Sequence, residues 1–173
     1  MNIEEAIQTA LEYEVKIRDL YLQGVEATPE HAGKKIFQTL ADDEQRHVDY
    51  LNHKLNEWRR DGKIVPEKLE SLVPPREVIQ KELDKLRSRM ETDDRGLKQQ
   101  MLSKALQLEI ETSRFYQKMV EELPEDGRQM FARFLEIENA HVDAVQFELD
   151  YVSRTGSWFG FEEFDIEEGY TGG

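Results

Sequence analysis

The chain has 173 residues, no cysteine and a net charge of −14, from 37 acidic and 23 basic side chains. That length suits one domain with a short extension, and without thiols any bound metal must be held by oxygen and nitrogen. The negative field disfavours nucleic acid and anionic lipid, no apolar run reaches membrane-span length and no signal segment follows Met1, so a cytoplasmic protein is expected.

Apolar positions recur at three- and four-residue steps in four long stretches, and nothing alternates with period two, which predicts an all-α domain. The first helix is expected from about Ile3 to Val25, capped by Asn2, with Ile3, Ile7, Ala10, Glu14, Ile17, Tyr21 and Gly24 inward. Thr28-Pro29 has the form of a cap and a first helical residue, so a second helix is expected from there to Asp61, ended by Gly62. Its apolar stripe is Phe37, Leu40, Ala41, Val48, Leu51, Leu55 and Trp58. Residues 62–93 form a long connection, broken by Pro66 and Pro74-Pro75, with a short extra helix from Arg76 to about Met90. The third stripe is Lys98, Leu102, Ala105, Glu109, Thr112, Tyr116 and Met119, and its helix ends before Pro124. The fourth helix is expected from about Glu125 to Arg154, stopped by Gly156, with Phe131, Phe134, Leu135, Val142, Val145, Leu149 and Val152 inward.

The bundle is therefore expected over residues 1–156, followed by a tail over 157–173. Trp158, Phe159, Phe161 and Phe164 are too apolar to be left in water, so this tail should fold back or dock on a second subunit. The acidic run Glu162 to Glu168 is expected to be solvated and Gly169 to Gly173 disordered.

Charge interrupts each stripe at a matched place. Glu44-x-x-His47 and Glu138-x-x-His141 stand among apolar neighbours, and residues three apart share a helix face. Ala10, Glu14 and Tyr21 recur 95 residues later as Ala105, Glu109 and Tyr116, while Glu44 recurs after 94 as Glu138. Two helix hairpins related by a pseudo-two-fold axis would bring Glu14, Glu44, His47, Glu109, Glu138 and His141 together at the bundle centre. An unpaired buried carboxylate costs several kcal/mol or takes up a proton. Two carboxylates about 5 Å apart repel by roughly 3 kcal/mol at an effective dielectric near 20. Two divalent ions would offset four carboxylates, and one Glu from each of two helices plus Glu-x-x-His from two others is a known dinuclear carboxylate set. Mixed oxygen and imidazole donors suit iron or manganese, with zinc an opportunistic occupant. Glu44 and Glu138 are the expected bridges. Asp43 is placed to orient His47 or its neighbour, with Ile137 at the matching place in the second half. Tyr21 and Tyr116 are placed to hydrogen-bond a carboxylate on an adjacent helix. Asp49 and Asp143 are expected to face solvent, His31 and His53 to be surface residues, and Met101 and Met119 to fill the core.

Ala10 through Glu14 to Tyr21, Asp43-Glu44-Gln45-Arg46-His47, Leu108-Glu109 through Tyr116 and Glu138-Asn139-Ala140-His141 resemble the rubrerythrin-like branch of the ferritin-like superfamily over about residues 3–154. The resemblance implies a four-helix bundle with two iron ions per chain and no haem, reacting with hydrogen peroxide or dioxygen, usually as a homodimer. Two differences stand out. No four-cysteine rubredoxin domain is present, so the resemblance implies a separate electron donor. Where that branch carries a second glutamate one turn after the third-helix ligand, this chain has Thr112; Glu111 lies roughly 200° around the helix from that ligand's face. Bacterioferritin-like relatives place a haem-ligating Met where Gln45 stands. The expected activity is that of a di-iron oxidoreductase in oxidative-stress defence or iron homeostasis. Its rivals are a ferroxidase storing iron, a dimanganese catalase and a bundle whose metal is only structural.

Overall fold

A computed structural model describes residues 1–65, 67–87 and 96–160. Among them are five helices and no strand: α1 (Ile3–Ala27), α2 (His31–Asp61), α3 (Arg76–Arg87), α4 (Leu97–Glu122) and α5 (Glu125–Thr155). α1 packs with α2 and α4 with α5 as two hairpins, α1 meets α4 between them, and α3 lies on α5. The expected all-α, ferritin-like four-helix bundle with its short additional helix is observed. The continuation of α3 toward Met90, Pro66, and the tail beyond Gly160 with Phe161, Phe164, the acidic run and the final glycines lie outside the described residues.

A capping box starts α1: the Glu5 N–H donates to Asn2 Oδ1 at 2.8 Å, and the Asn2 N–H to Glu5 Oε2 at 3.4 Å. α2 begins later than Thr28-Pro29 suggests. Thr28 instead ends α1, its N–H bonded to Gly24 O at 3.1 Å, and Glu30 precedes α2 without a side-chain cap bond. The turn between the helices consumes the residues that resembled a helix start. Gly62 and Gly156 end α2 and α5 at φ of 65° and 73°, left-handed values that cost glycine nothing sterically.

Every expected inward residue of α1 is buried. On α4 the row holds from Leu102 to Met119, but Lys98 is only half-buried. Its Nζ donates to Gly156 O at 2.9 Å and pairs with Glu30 Oε1 at 2.6 Å, placing a cation at the carbonyl end of α5. The apolar core comes in two parts. One includes Ile17, Phe37, Leu40, Leu102, Val145 and Phe147; the other includes Ile7, Leu51, Leu55, Met119, Phe131 and Phe134. Along the long helices the change from one part to the other falls at Glu14, Glu44 to His47, Glu109 and Glu138 to His141. A charged layer thus crosses the middle of the bundle.

The segment after α2 is strapped to the bundle by buried charge. Lys54 is fully buried; its Nζ donates to Glu57 Oε2 at 3.1 Å and to Val65 O, while the Val65 N–H donates to Glu57 Oε1 at 2.6 Å. Further on, Arg133 of α5 donates from Nε and Nη2 to Leu69 O at 3.0 and 2.7 Å. At the other end of the chain the described part of the tail folds back onto the bundle. Trp158 meets Phe37 edge-on at 5.4 Å, and Phe159 packs on Phe147 at 4.8 Å and Tyr151 at 5.2 Å. The buried Glu148 carboxylate accepts the Phe159 and Gly160 N–H groups at 3.1 and 2.9 Å.

Gly33 permits this docking: a Cβ there would lie 2.4 Å from Trp158 Cε2 and 2.6 Å from Thr28 Cγ2. Gly33→Ala is therefore expected to lower stability by about 1–3 kcal/mol, the usual cost of overpacking, and to shift tryptophan emission to the red as Trp158 is displaced. Denaturant unfolding followed by fluorescence checks this; unchanged stability and emission would refute the close packing.

Candidate metal centre

Glu14, Glu44, His47, Glu109, Glu138 and His141 converge in the charged layer, and none has any solvent exposure. Each sits between residues of the two core parts on its own helix, so the stripes that build the core also aim these side chains inward. They form two sets of four. Glu14, Glu44, His47 and Glu138 make one; Glu44, Glu109, Glu138 and His141 make the other, with one oxygen or nitrogen from each residue within 4.8 Å of the rest of its set. Glu44 and Glu138 belong to both sets. Such an arrangement can hold two ions joined by two shared carboxylates.

The imidazoles stack at 5.5 Å and 17° between α2 and α5. Both present Nδ1 to the glutamates. His47 Nδ1 lies 3.4 Å from Glu14 Oε2 and 3.3 Å from Glu44 Oε2; His141 Nδ1 lies 2.7 Å from Glu44 Oε1 and 3.3 Å from Glu109 Oε1. Proximity here is not hydrogen bonding throughout. Both oxygens of Glu44 and Glu138, Glu109 Oε2 and His141 Nδ1 have no hydrogen-bond partner among the described residues. Buried polar atoms in this state are rare and costly. They belong to residues of the two close sets, and four carboxylates with two imidazoles are a donor set that suits a pair of hard-to-borderline divalent ions. The residues fit a two-metal site.

Surrounding groups hold the outer glutamates. Tyr21 of α1 donates to Glu109 Oε1 on α4 at 2.5 Å, and Tyr116 of α4 donates a short hydrogen bond to Glu14 Oε1 on α1. Each tyrosine thus ties its own hairpin to a glutamate of the other and leaves that glutamate's second oxygen turned inward. Behind the imidazoles, Asp43 Oδ2 accepts from His141 Nε2 at 2.7 Å, while His47 Nε2 stays 3.8 Å away. Asp43 also accepts the Ser71 hydroxyl and the Leu72 N–H, both at 2.7 Å.

Electrostatics follow from this geometry. Burial pushes the Glu44 and Glu138 carboxyls well up, and their carboxylate neighbours add to the effect. Burial also opposes charge on Glu14, but the His47 charge and hydrogen bonds outweigh it and bring the group down to about 2. Glu109 is lowered in the same way: burial resists ionisation, and His141 and Tyr21 overcome it. Burial disfavours cationic imidazoles, yet the surrounding carboxylates raise His47 to about 10 and His141 well above its ordinary value. Asp43 is held far below the usual carboxylate range despite burial, chiefly by His141, His47 and the Leu72 N–H. Burial and adjacent carboxylates push both tyrosines up, so they remain donors. The layer thus favours the protonated forms of the two shared glutamates and both imidazoles, and the ionised forms of Glu14, Glu109 and Asp43.

Asp43 serves the histidine across from it rather than the one on its own helix. Thr112 is buried with its hydroxyl turned to Leu108 O at 2.8 Å, and Glu111 is exposed, so neither brings a further carboxylate inward. Asp49, His31 and His53 face outward and Met119 is buried, as expected. Asp143 does not face solvent: it is buried and pairs with Arg76 Nε of α3 at 2.6 Å, because α3 covers that side of α5. Sequence reasoning missed Ser71, Leu72, the Lys54–Glu57 pair and Glu148. The first two lie in an aperiodic connection, where nothing marks a contact with α2; charged residues at inward positions of α2 and α5 were the available signal for the others. His53, Glu57 and Glu67 form another acidic group, but the Lys54 ammonium already stands within it, 3.1 Å from Glu57 and 3.5 Å from Glu67.

Among the described residues no helix is long and apolar enough to cross a membrane. No curated protein matches the chain. The sequence pattern of the Rubrerythrin family matches residues 5–148, a span that contains all six converging side chains. A helical bundle with its charged layer at the matched glutamates and histidines, together with this match, places the chain in the rubrerythrin family.

Proposed function

We propose that this protein is a non-haem di-iron oxidoreductase that consumes hydrogen peroxide or dioxygen, in oxidative-stress defence or iron homeostasis. The observation that carries the reading is the pair of four-residue sets sharing Glu44 and Glu138. Glu14, Glu44, His47, Glu109, Glu138 and His141 are the proposed ligands, with Glu44 and Glu138 as bridges. Two irons there would supply redox equivalents by passing between ferrous and ferric states. The chain's own groups hold the geometry and exclude bulk water. Tyr21 and Tyr116 fix the outer glutamates, and Phe134 covers His47 edge-on at 5.3 Å. A 190 Å³ pocket lined in part by Leu20, Gly24, Phe37 and Met101 reaches Tyr21. Its walls are mostly apolar, with Gln23 and Lys104 also in the lining, and suit a small uncharged oxidant. These 173 residues contain no cysteine that could carry an iron–sulfur centre or a redox thiol.

The ligand geometry gives two expected outcomes. Protein loaded anaerobically with ferrous iron should hold two ions per chain and be oxidised by peroxide or dioxygen, and Glu44→Ala should lose both ions because its carboxylate is shared. Metal analysis and the ferric absorption band check this. Two manganese ions with dioxygen release from peroxide would favour a catalase, and uptake far beyond two irons a storage protein.

Loading must also displace protons, because metal ligands bind deprotonated. His47, raised against the effect of burial to about 10 by Glu14 and Glu44, holds a proton at neutral pH that the metal must remove, and Glu44, Glu138 and His141 are shifted in the same upward direction. Affinity is therefore expected to rise with pH from neutrality toward about 10, where His47 loses its proton unaided. Calorimetry in buffers of different ionisation enthalpy should show net proton release, and a pH-independent affinity without release would contradict these assignments.

A further inference from the structure

The two halves of the layer match except in how their histidines are held. Tyr21 supports Glu109 as Tyr116 supports Glu14, and Glu44 and Glu138 are common to both sets. His141 donates from Nε2 to Asp43 at 2.7 Å, and Asp43 is in turn fixed by the Ser71 hydroxyl and the Leu72 N–H. His47 Nε2 has no hydrogen-bond partner among the described residues. A second acid in the mirror position, four residues before His141, would occupy position 137, which is a buried isoleucine. One carboxylate therefore serves one imidazole.

We infer that Asp43, positioned by Ser71 and Leu72, makes the two metal positions inequivalent: the Glu109–His141 position fills first and binds more tightly, and the Glu14–His47 position is the weaker. This rests on the two-metal reading above. A hydrogen bond from the remote ring nitrogen to a carboxylate fixes the imidazole tautomer and orientation and makes the ligating nitrogen a better donor; losing such a partner typically costs about 10–100-fold in metal affinity. Nε2 of His47 has no such support: beyond the Nδ1 contacts with Glu14 at 3.4 Å and Glu44 at 3.3 Å, the ring is held by packing against Phe134 and His141. The shared glutamates act in the same sense, because the first ion relieves their mutual repulsion and the second must settle beside an existing cation. Ser71 is thus a positioning residue, reaching the centre from the α2–α3 connection through Asp43.

The test is anaerobic titration of the metal-free full chain with cobalt(II), followed by calorimetry and cobalt absorbance. Two phases separated by about 10–100-fold are expected. His141→Ala should remove the tight phase, whereas His47→Ala should remove only the weak one. Ser71→Ala leaves every ligand in place and should weaken the tight phase about tenfold with helical circular dichroism unchanged. Loss of the tight phase in His47→Ala, equal effects of the two histidine variants, or an unaltered titration in Ser71→Ala would each overturn the inequivalence while leaving two bound ions. Absence of cobalt binding would overturn the two-metal reading as well.

Discussion

Six titratable side chains share one dry layer with Asp43, and the net charge of that layer is the constraint on everything around it. Water cannot screen these groups, so their repulsion must be met by protons, by donors or by cations. The bundle uses donors where the charge is to stay fixed and withholds them where it is to be exchanged. Glu14 and Glu109 each receive a tyrosine, and Asp43 receives a histidine, a serine and a backbone amide. Glu44 and Glu138 receive none among the described residues. The most central carboxylates are the least satisfied, the distribution expected if their partner is a cation between them. The rest of the core is arranged on either side to keep the layer dry.

The inward rows of α1, α2 and α4 were legible because apolar periodicity is strong there, and the six convergent residues were legible as violations of that periodicity. On α5 the expected row was partly misplaced: Leu135, Val142 and Leu149 are only half-buried, while Ile137, Ala144 and Phe147 are buried, because several faces of this helix are covered. Glu14 and Glu109 gained weight from the repeat of Ala10 and Tyr21 as Ala105 and Tyr116, which no single helix would have revealed. Thr28-Pro29 misled because cap chemistry is local, and the residues that could start α2 were needed to finish α1. Asp143 misled for a different reason. Its helix position is outward with respect to the bundle, but α3 supplies a second surface on that side. Ser71 could not be found from spacing at all, since its hydrogen bond joins segments 28 residues apart through an irregular connection.

Charged residues in this core do two kinds of work that burial alone does not distinguish. Lys54 and Glu57 neutralise each other and bind the Val65 amide and carbonyl, so their burial holds the connection in place. Glu148 takes the amides of Phe159 and Gly160 and holds the returning tail. These groups have partners within the chain. Among the described residues the shared glutamates have no hydrogen-bond partner, and that contrast, which neither exposure nor charge reveals, separates an internal strap from a binding centre.

Each four-residue set takes three members from one hairpin and a single bridging glutamate from the other. One hairpin paired with a copy of itself would therefore present both sets complete, so the ligand shell needs only half the chain's information. Joining the halves in one polypeptide removes the obligation to be identical. Asp43 and Ile137 occupy corresponding positions and differ, a divergence open to a fused chain and forbidden to a symmetric pair. The covalent connection thus frees the two halves to specialise around a centre they still build jointly.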